Sequence, residues 1–171
     1  MSTFNIIVAV DEAGGFGKDG KIPWSVSEDM QHFKDVTKGA VCVMGRRTYE
    51  DILQMRGIDD LIPDDSFELL PGRDCYVVSS NEKMIGVGAT RIAELGEVRQ
   101  KYSNTDRDIF VIGGRRMFIQ TLNYRPTVYM TVIKGDTYNC DVSFPIELLS
   151  DYKITDGRET DQCYYVEYHP A

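Results

Sequence analysis

The sequence predicts an α/β protein: one domain over residues 1–171, with a central, mostly parallel twisted sheet, helices on both faces and antiparallel strands at the C-terminal end. Three observations lead there. The runs at 4–10, 40–45 and 108–112 are almost continuously apolar instead of alternating, as strands are when both faces are covered. Two of them pass directly into a glycine, a pair of arginines and a helical pattern, at Gly45-Arg46-Arg47 and at Gly113-Gly114-Arg115-Arg116. From Thr127 onward no helix is signalled between the apolar runs, so those runs pair antiparallel through tight connections.

Bulk properties exclude several classes. A length of 171 residues suits one domain, and 42% hydrophobic residues supply a core. The net charge of −8 speaks against nucleic-acid binding, and any anionic ligand must rely on local arginine and lysine. No apolar run reaches the roughly 18 residues of a membrane span. Met-Ser-Thr-Phe-Asn lacks the basic start of a secretory signal. The four cysteines, 42, 75, 140 and 163, form no CxxC, and the two histidines, 32 and 169, stand alone. The expectation is free thiols, no metal and a cytoplasmic monomer without nucleic-acid or membrane partners.

Taken in order, residues 4–10 form the first strand. The stretch 11–21 follows, with glycines at 14, 15, 17 and 20, and is read as an irregular loop and candidate lid. Pro23-Trp24 then opens a helix that runs to about Thr37. Ser25 or Ser27 is its expected N-cap, and Ser25-x-x-Glu28 fits a capping box. Helical spacing sets Asp29 with Phe33 and Val36, beside Met30, whereas Lys34, Asp35 and Lys38 take the wetter side. An acid on an apolar face is paired, neutralised or faces a ligand. Alternatively, it answers the positive end of the helix dipole. The helix alone leaves both open.

Residues 40–45 are the second strand and 46–53 a helix. Arginines at a helix N-terminus oppose the macrodipole by a few tenths to about 1 kcal/mol, and a bound anion removes the conflict. The stretch 55–70 is an acidic, aperiodic excursion. Leu70-Pro71-Gly72-Arg73 is a turn before the strand 74–80, which ends in Ser79-Ser80. A short strand is expected within 84–91 and a helix over 92–102. The strand 108–112 meets the second glycine-arginine step and the helix to 122. Two such steps call for two separated phosphates, hence a dinucleotide, although neither step carries the classical GxGxxG turn. Strands at 127–133, 152–155 and 162–168 complete the chain.

In order and spacing these motifs resemble the dihydrofolate reductase family across nearly the whole chain. They are Val8-Ala9-Val10-Asp11, the segment from Gly15 to Trp24, Asp29 with Phe33, Val43 to Glu50, Leu70 to Arg73 with Val78-Ser79-Ser80, Val111-Ile112-Gly113-Gly114 with Arg116, and Tyr129-Met130-Thr131 leading to Asp141-Val142-Ser143-Phe144-Pro145. The resemblance implies a dihydrofolate reductase-like fold and reduction of dihydrofolate to tetrahydrofolate, with NADPH giving a hydride to C6 while N5 is protonated. It implies Asp29 as the acid, with Trp24 and Thr131 ordering it and a water. Ile7, Met30, Phe33, Ile52 and Leu70 would line the substrate with Asp29 and Thr131, and Arg73 would hold the carboxylate tail. Ile7, Ala9, Gly17, Gly20, Gly45, Arg46, Arg47, Thr48, Ser79, Ser80, Ile112, Gly113, Gly114, Arg115, Arg116, Met117 and Phe118 would hold the cofactor. It also implies a cis peptide at Gly113–Gly114 and a lid at 15–20.

Four departures stand out: Arg115 where many members have a third glycine, Phe118 where tyrosine is common, Cys140 in place of a frequent glycine, and the length of the acidic excursion. A related reductase of another pterin-like or pyrimidine-like substrate is the enzymatic alternative. A folate- or nucleotide-binding protein without turnover is the other.

Overall fold

The computed structural model describes residues 3–19, 22–58, 66–84, 86–135 and 138–171. In chain order come β1 (Phe4–Asp11), β2 (Gly15–Gly17), α1 (Ser27–Val36), β3 (Val41–Gly45), α2 (Arg46–Met55), β4 (Asp74–Val78), β5 (Thr90–Ile92) and α3 (Leu95–Lys101). Then follow β6 (Ile109–Gly113), α4 (Arg115–Leu122), β7 (Thr127–Ile133), β8 (Val142–Ser143), a 3-10 turn (Ile146–Leu149), β9 (Tyr152–Glu159) and β10 (Cys163–Pro170).

The main sheet has eight strands in the order β5-β4-β3-β6-β1-β7-β10-β9. From β5 to β7 every pairing is parallel, and β10 then runs antiparallel to both β7 and β9. Alternation along β3 explains its continuous apolarity. Val41 and Val43 enter one core with Leu95 and Val98 of α3 and Met117 and Phe118 of α4. Cys42 and Met44 enter another with Tyr49 of α2, Leu69 and Val77. Phe33 and Val36 of α1 pack on Ile7, Ala40 and Phe110, also opposite the α3–α4 side. Full burial of each such side chain stabilises the fold by about 1.5–3 kcal/mol.

Four local expectations are corrected. α1 has Val26 at its N-cap with no side-chain capping bond, so neither Ser25 nor Ser27 caps it and the Ser25–Glu28 box does not form. The glycine-rich loop is not wholly irregular, because Gly15–Gly17 pairs with Val142–Ser143. Ile92 belongs to β5, beside Val78, and α3 starts only at Leu95 behind a reciprocal Glu94–Glu97 capping box. β9 and β10 are each eight residues long, beyond the shorter strands expected, since each supplies the other's ladder. Gly20 and the middle of the acidic excursion, residues 59–65, lie outside the described residues. The flanks of that excursion are built in: the Arg56 guanidinium donates to the carbonyls of Glu68 at 3.0 Å and Leu69 at 2.6 Å, and Leu69 is fully buried.

Candidate active site

The chain leaves β1, crosses to β3, works outward to β5 and returns to place β6 between β3 and β1. Reversals of strand order open a crevice at the carboxyl ends of strands, where ligands of open α/β sheets bind. A cleft of about 2470 Å³ lies there, taking in the ends of β3, β4 and β6 at Gly45, Ser79 and Gly113. A single small-molecule pocket occupies roughly 300–1,000 Å³. The space therefore admits two ligands side by side.

Every site residue expected from the sequence, other than Gly20, lines this one cleft. One end is formed by Ile7, Trp24, Asp29, Met30, Phe33, Ile52, Leu70, Arg73 and Thr131. Asp29 sits in the first turn of α1, and its carboxyl is raised above the ordinary range, chiefly by burial. A hydrogen bond with Thr131 and the nearby His32 offset part of that rise, and Glu28 adds to it. Thr131 is itself buried on β7, opposite Ala9 of β1. Trp24 packs toward the core against Tyr138, ring centroids 5.3 Å apart. Met30 is 48% exposed and stands at the mouth.

Arg73 is held in a fixed orientation. It donates to the Lys34 carbonyl at 2.5 Å, the Pro71 carbonyl at 2.6 Å and the Thr37 hydroxyl at 3.2 Å. It thus grips the last turn of α1 while facing the cleft.

The other end is built by two helix starts. α2 begins at Arg46 after Gly45, and α4 at Arg115 after Gly114; neither has a side-chain cap or an acid in its first turn. Their first amides and positive dipole ends are available to anions. Arg46 is paired with Glu50 at 2.8 Å. Such an exposed pair is worth only about 0.3–0.5 kcal/mol, so a phosphate can displace it. Arg115 donates to the Ser143 carbonyl at 3.0 Å, tying the start of α4 to β8. Gly113 has φ +146°, and a Cβ there would stand 3.0 Å from the Thr48 hydroxyl, so this close approach needs glycine. The Gly113–Gly114 peptide is cis.

The glycine-rich segment is strapped to the loop before β8. Asp11 at the end of β1 is buried and accepts from the amides of Ala13, Gly15 and Tyr138, at 2.9, 2.9 and 3.0 Å. Burial pushes its carboxyl up, but these amides outweigh that and hold it below the usual range. The Asp19 amide donates to Asp141 at 3.0 Å. A Cβ on Gly15 would collide with the Cys140 side chain. Gly15→Ala is therefore expected to lower stability by about 1–3 kcal/mol, as overpacking does. Thermal unfolding of Gly15→Ala alone and combined with Cys140→Gly checks this, because the second change should restore the loss.

Among the described residues no three His, Cys, Asp or Glu side chains converge as a metal set, and no helix is long and apolar enough to cross a membrane. All four thiols are unpaired.

The sequence matches the dihydrofolate reductase family profile over residues 3–169. The chain belongs to the dihydrofolate reductase family. The type 9 dihydrofolate reductase of Escherichia coli is 31% identical over 165 residues, 90% of this chain and 82% of that protein. The Lactococcus lactis dihydrofolate reductase is 32% identical over 136 residues, 77% of this chain and 74% of that protein. A solved dihydrofolate reductase from Enterococcus faecalis, complexed with NADP(H) and RAB-propyl, superposes with a TM-score of 0.78 at 25% identity, covering 98% of this chain and 95% of that one.

The dihydrofolate reductase cleft also draws on residues that sequence reasoning missed. Val78, Glu94, Leu95 and Gly96 wall it beyond Ser79, and Val142 and Asp141 close on it beside Gly17. The Glu94–Glu97 spacing was a usable signal for the first group. The second group stands in a motif of the family resemblance but was not placed at the site, because its position there depends on the β2–β8 pairing.

Proposed function

We propose that Asp29 holds the pteridine of dihydrofolate and promotes protonation at N5, that Arg73 holds the substrate's carboxylate tail, and that the two arginine-led helix starts hold the phosphates of NADPH. The overall reaction is that of the family, NADPH-dependent reduction of dihydrofolate to tetrahydrofolate. The observation that carries the assignment of Asp29 is its place in the cleft, bonded to Thr131, with a carboxyl raised by burial.

The cleft fits a dinucleotide. Its two uncapped helix starts are separate, carry arginines and meet at glycines where a backbone approaches closely. Arg46, Arg47, Thr48, Ser80 and Arg116 would take the phosphates, and Ile7, Ala9, Ile112 and Gly113 would flank the nicotinamide. When bound, NADPH supplies the hydride that C6 receives.

The residues of the chain do the rest. Asp29 accepts from N3–H and the 2-amino group, orienting the ring edge. Its raised proton affinity keeps proton supply near N5 available at higher pH than an ordinary aspartate would. Thr131 fixes its rotamer, and Trp24 closes the site over the water that delivers the proton. Met30, Phe33, Ile52 and Leu70 exclude bulk water from the rings and benzoyl group. Arg73, already oriented by three bonds, offers its remaining donors to the tail carboxylate. Gly15 to Gly17, strapped to β8, cover the nicotinamide side as a lid.

We also read the chain as one domain acting as a monomer in the cytoplasm, without nucleic acid. The eight-stranded sheet, the net charge of −8 and the unpaired thiols support that reading.

The test is NADPH consumption that depends on dihydrofolate. Binding of both without turnover, or turnover only of a pyrimidine substrate lacking the tail, overturns the reading. Arg116→Ala is expected to raise the KM for NADPH about tenfold, the worth of one charge-assisted hydrogen bond, with little change in the KM for dihydrofolate. Steady-state kinetics with each substrate varied in turn checks that.

A further inference from the structure

The helix that carries Asp29 has little apolar anchorage. None of its residues is fully buried, and its start has no side-chain cap. Its second half rests on Ala40 and Phe110 through Phe33 and Val36 and is gripped by Arg73. Its first turn is tied by a different residue, Glu28. The Thr160 hydroxyl reaches both Glu28 carboxylate oxygens at 2.9 Å, and the Tyr165 hydroxyl donates to Oε2 at 2.7 Å. Both partners are themselves fixed. Thr160 sits in the β9–β10 turn and accepts from the Cys163 amide at 3.1 Å. The Tyr165 ring lies 4.3 Å from the Arg158 guanidinium and 4.3 Å from the His32 ring.

Sheet register connects this tie to the acid. Tyr165 on β10 is the direct partner of Thr131 on β7, and cross-strand partners point to the same face. Thr131 is the hydroxyl that offsets part of the rise in the Asp29 proton affinity. Two successive acids of α1 therefore meet two neighbours in the sheet, Glu28 through the Tyr165 hydroxyl and Asp29 beside Thr131. Successive side chains leave a helix about 100° apart, so rotation of α1 that breaks the Glu28 bond also turns Asp29 away from Thr131.

We propose that Glu28 is a positioning residue for the reaction, its bonds to Thr160 and Tyr165 holding α1 in the rotation that aims Asp29 into the cleft. This rests on Asp29 being the reaction's acid. Glu28 also acts as a charge. Among the described residues, the groups acting on Asp29 are Glu28 and His32 from α1, the neutral Thr131 from β7 and Cys163 from β10, while β1 brings apolar Ile7 and Ala9 to the same cleft. The Tyr165 hydrogen bond, with that of Thr160 and the charges of Arg158 and Lys134, holds the Glu28 carboxyl below its usual range against some desolvation. An ionised Glu28 beside Asp29 opposes ionisation of Asp29.

Glu28→Gln and Tyr165→Phe, each in the full chain and beside Asp29→Asn, test this through kcat, both KM values and the pH profile of kcat. Both variants are expected to lose about tenfold in kcat at neutral pH, as misplaced catalytic groups do, with the KM for NADPH unchanged. In Glu28→Gln the fall of kcat with rising pH should begin at lower pH, because a neighbouring negative charge is gone. In Tyr165→Phe, which keeps that charge, it should not. Wild-type kcat in both variants overturns the proposal, as does a loss of thermal stability with kcat and pH profile intact, which is the result of a merely structural tie. Wild-type turnover in Asp29→Asn removes the reading underneath. Loss there with full turnover in Glu28→Gln leaves the acid standing and removes the clamp.

Discussion

The Asp29→Asn enzyme turns over about 10²–10⁴-fold more slowly than wild type at neutral pH, the usual worth of a lost acid–base group. Asparagine keeps the shape and some hydrogen bonding to the pteridine edge, but it cannot carry the charge that stabilises a protonated N5. Lowering the pH should recover part of the loss, since solvent then supplies the proton. Stability should move the other way. Burial raises the folded-state proton affinity of Asp29. Its contribution is therefore present below the unfolded value of about 3.9 and is lost as pH rises through the folded value. Burial opposes the charge on Asp29, and asparagine never carries it. The variant is expected to melt no lower than wild type at neutral pH while being far less active. Kinetics and thermal unfolding across pH measure both, and wild-type turnover at neutral pH sinks the role.

Arg73→Leu raises the KM for dihydrofolate roughly 10–100-fold, since charged hydrogen bonds contribute about 1.5–3 kcal/mol and each 1.4 kcal/mol is tenfold. The KM for NADPH should stay near wild type. The substitution also removes three bonds, to Lys34, Pro71 and Thr37, so the end of α1 loosens and the melting temperature falls. Arg73→Lys separates the two effects, because a lysine keeps the charge and loses the fork. Equal weakening of both substrates would mean that Arg73 does not hold the tail.

The parts of the molecule that were legible in the sequence are those whose cause is local. Continuous apolarity at Val41 to Met44 follows from cores on both faces, and arginines at a helix start conflict with that helix's own dipole. The parts that were not legible have distant causes. Ser25-x-x-Glu28 satisfies a local capping pattern, yet Glu28 bonds Thr160 and Tyr165, 132 and 137 positions away. Glycines at 15 and 17 break regular structure by propensity, but β8 supplies the missing strand partner from the other end of the chain. Ile92 shares helical spacing with Leu95 and Val98, and β-pairing with Val78 overrides it. In the cleft, the resemblance to the family singled out Arg73, as the expected holder of a carboxylate tail. Its grip on a helix end was not legible, because that grip uses main-chain carbonyls that no side-chain pattern encodes.

The grip of Arg73 on α1 has an evolutionary corollary. At position 34 the bond is to the backbone carbonyl, so the lysine side chain is free to drift among descendants without disturbing the contact. Position 37 has no such liberty. The buried Thr37 hydroxyl accepts from Arg73 and donates to the Phe33 carbonyl at 2.7 Å, so serine can inherit the place but valine, of nearly the same shape, would strand a guanidinium donor. Lineages that keep an arginine at 73 should therefore keep a hydroxyl at 37, and the two should be lost together.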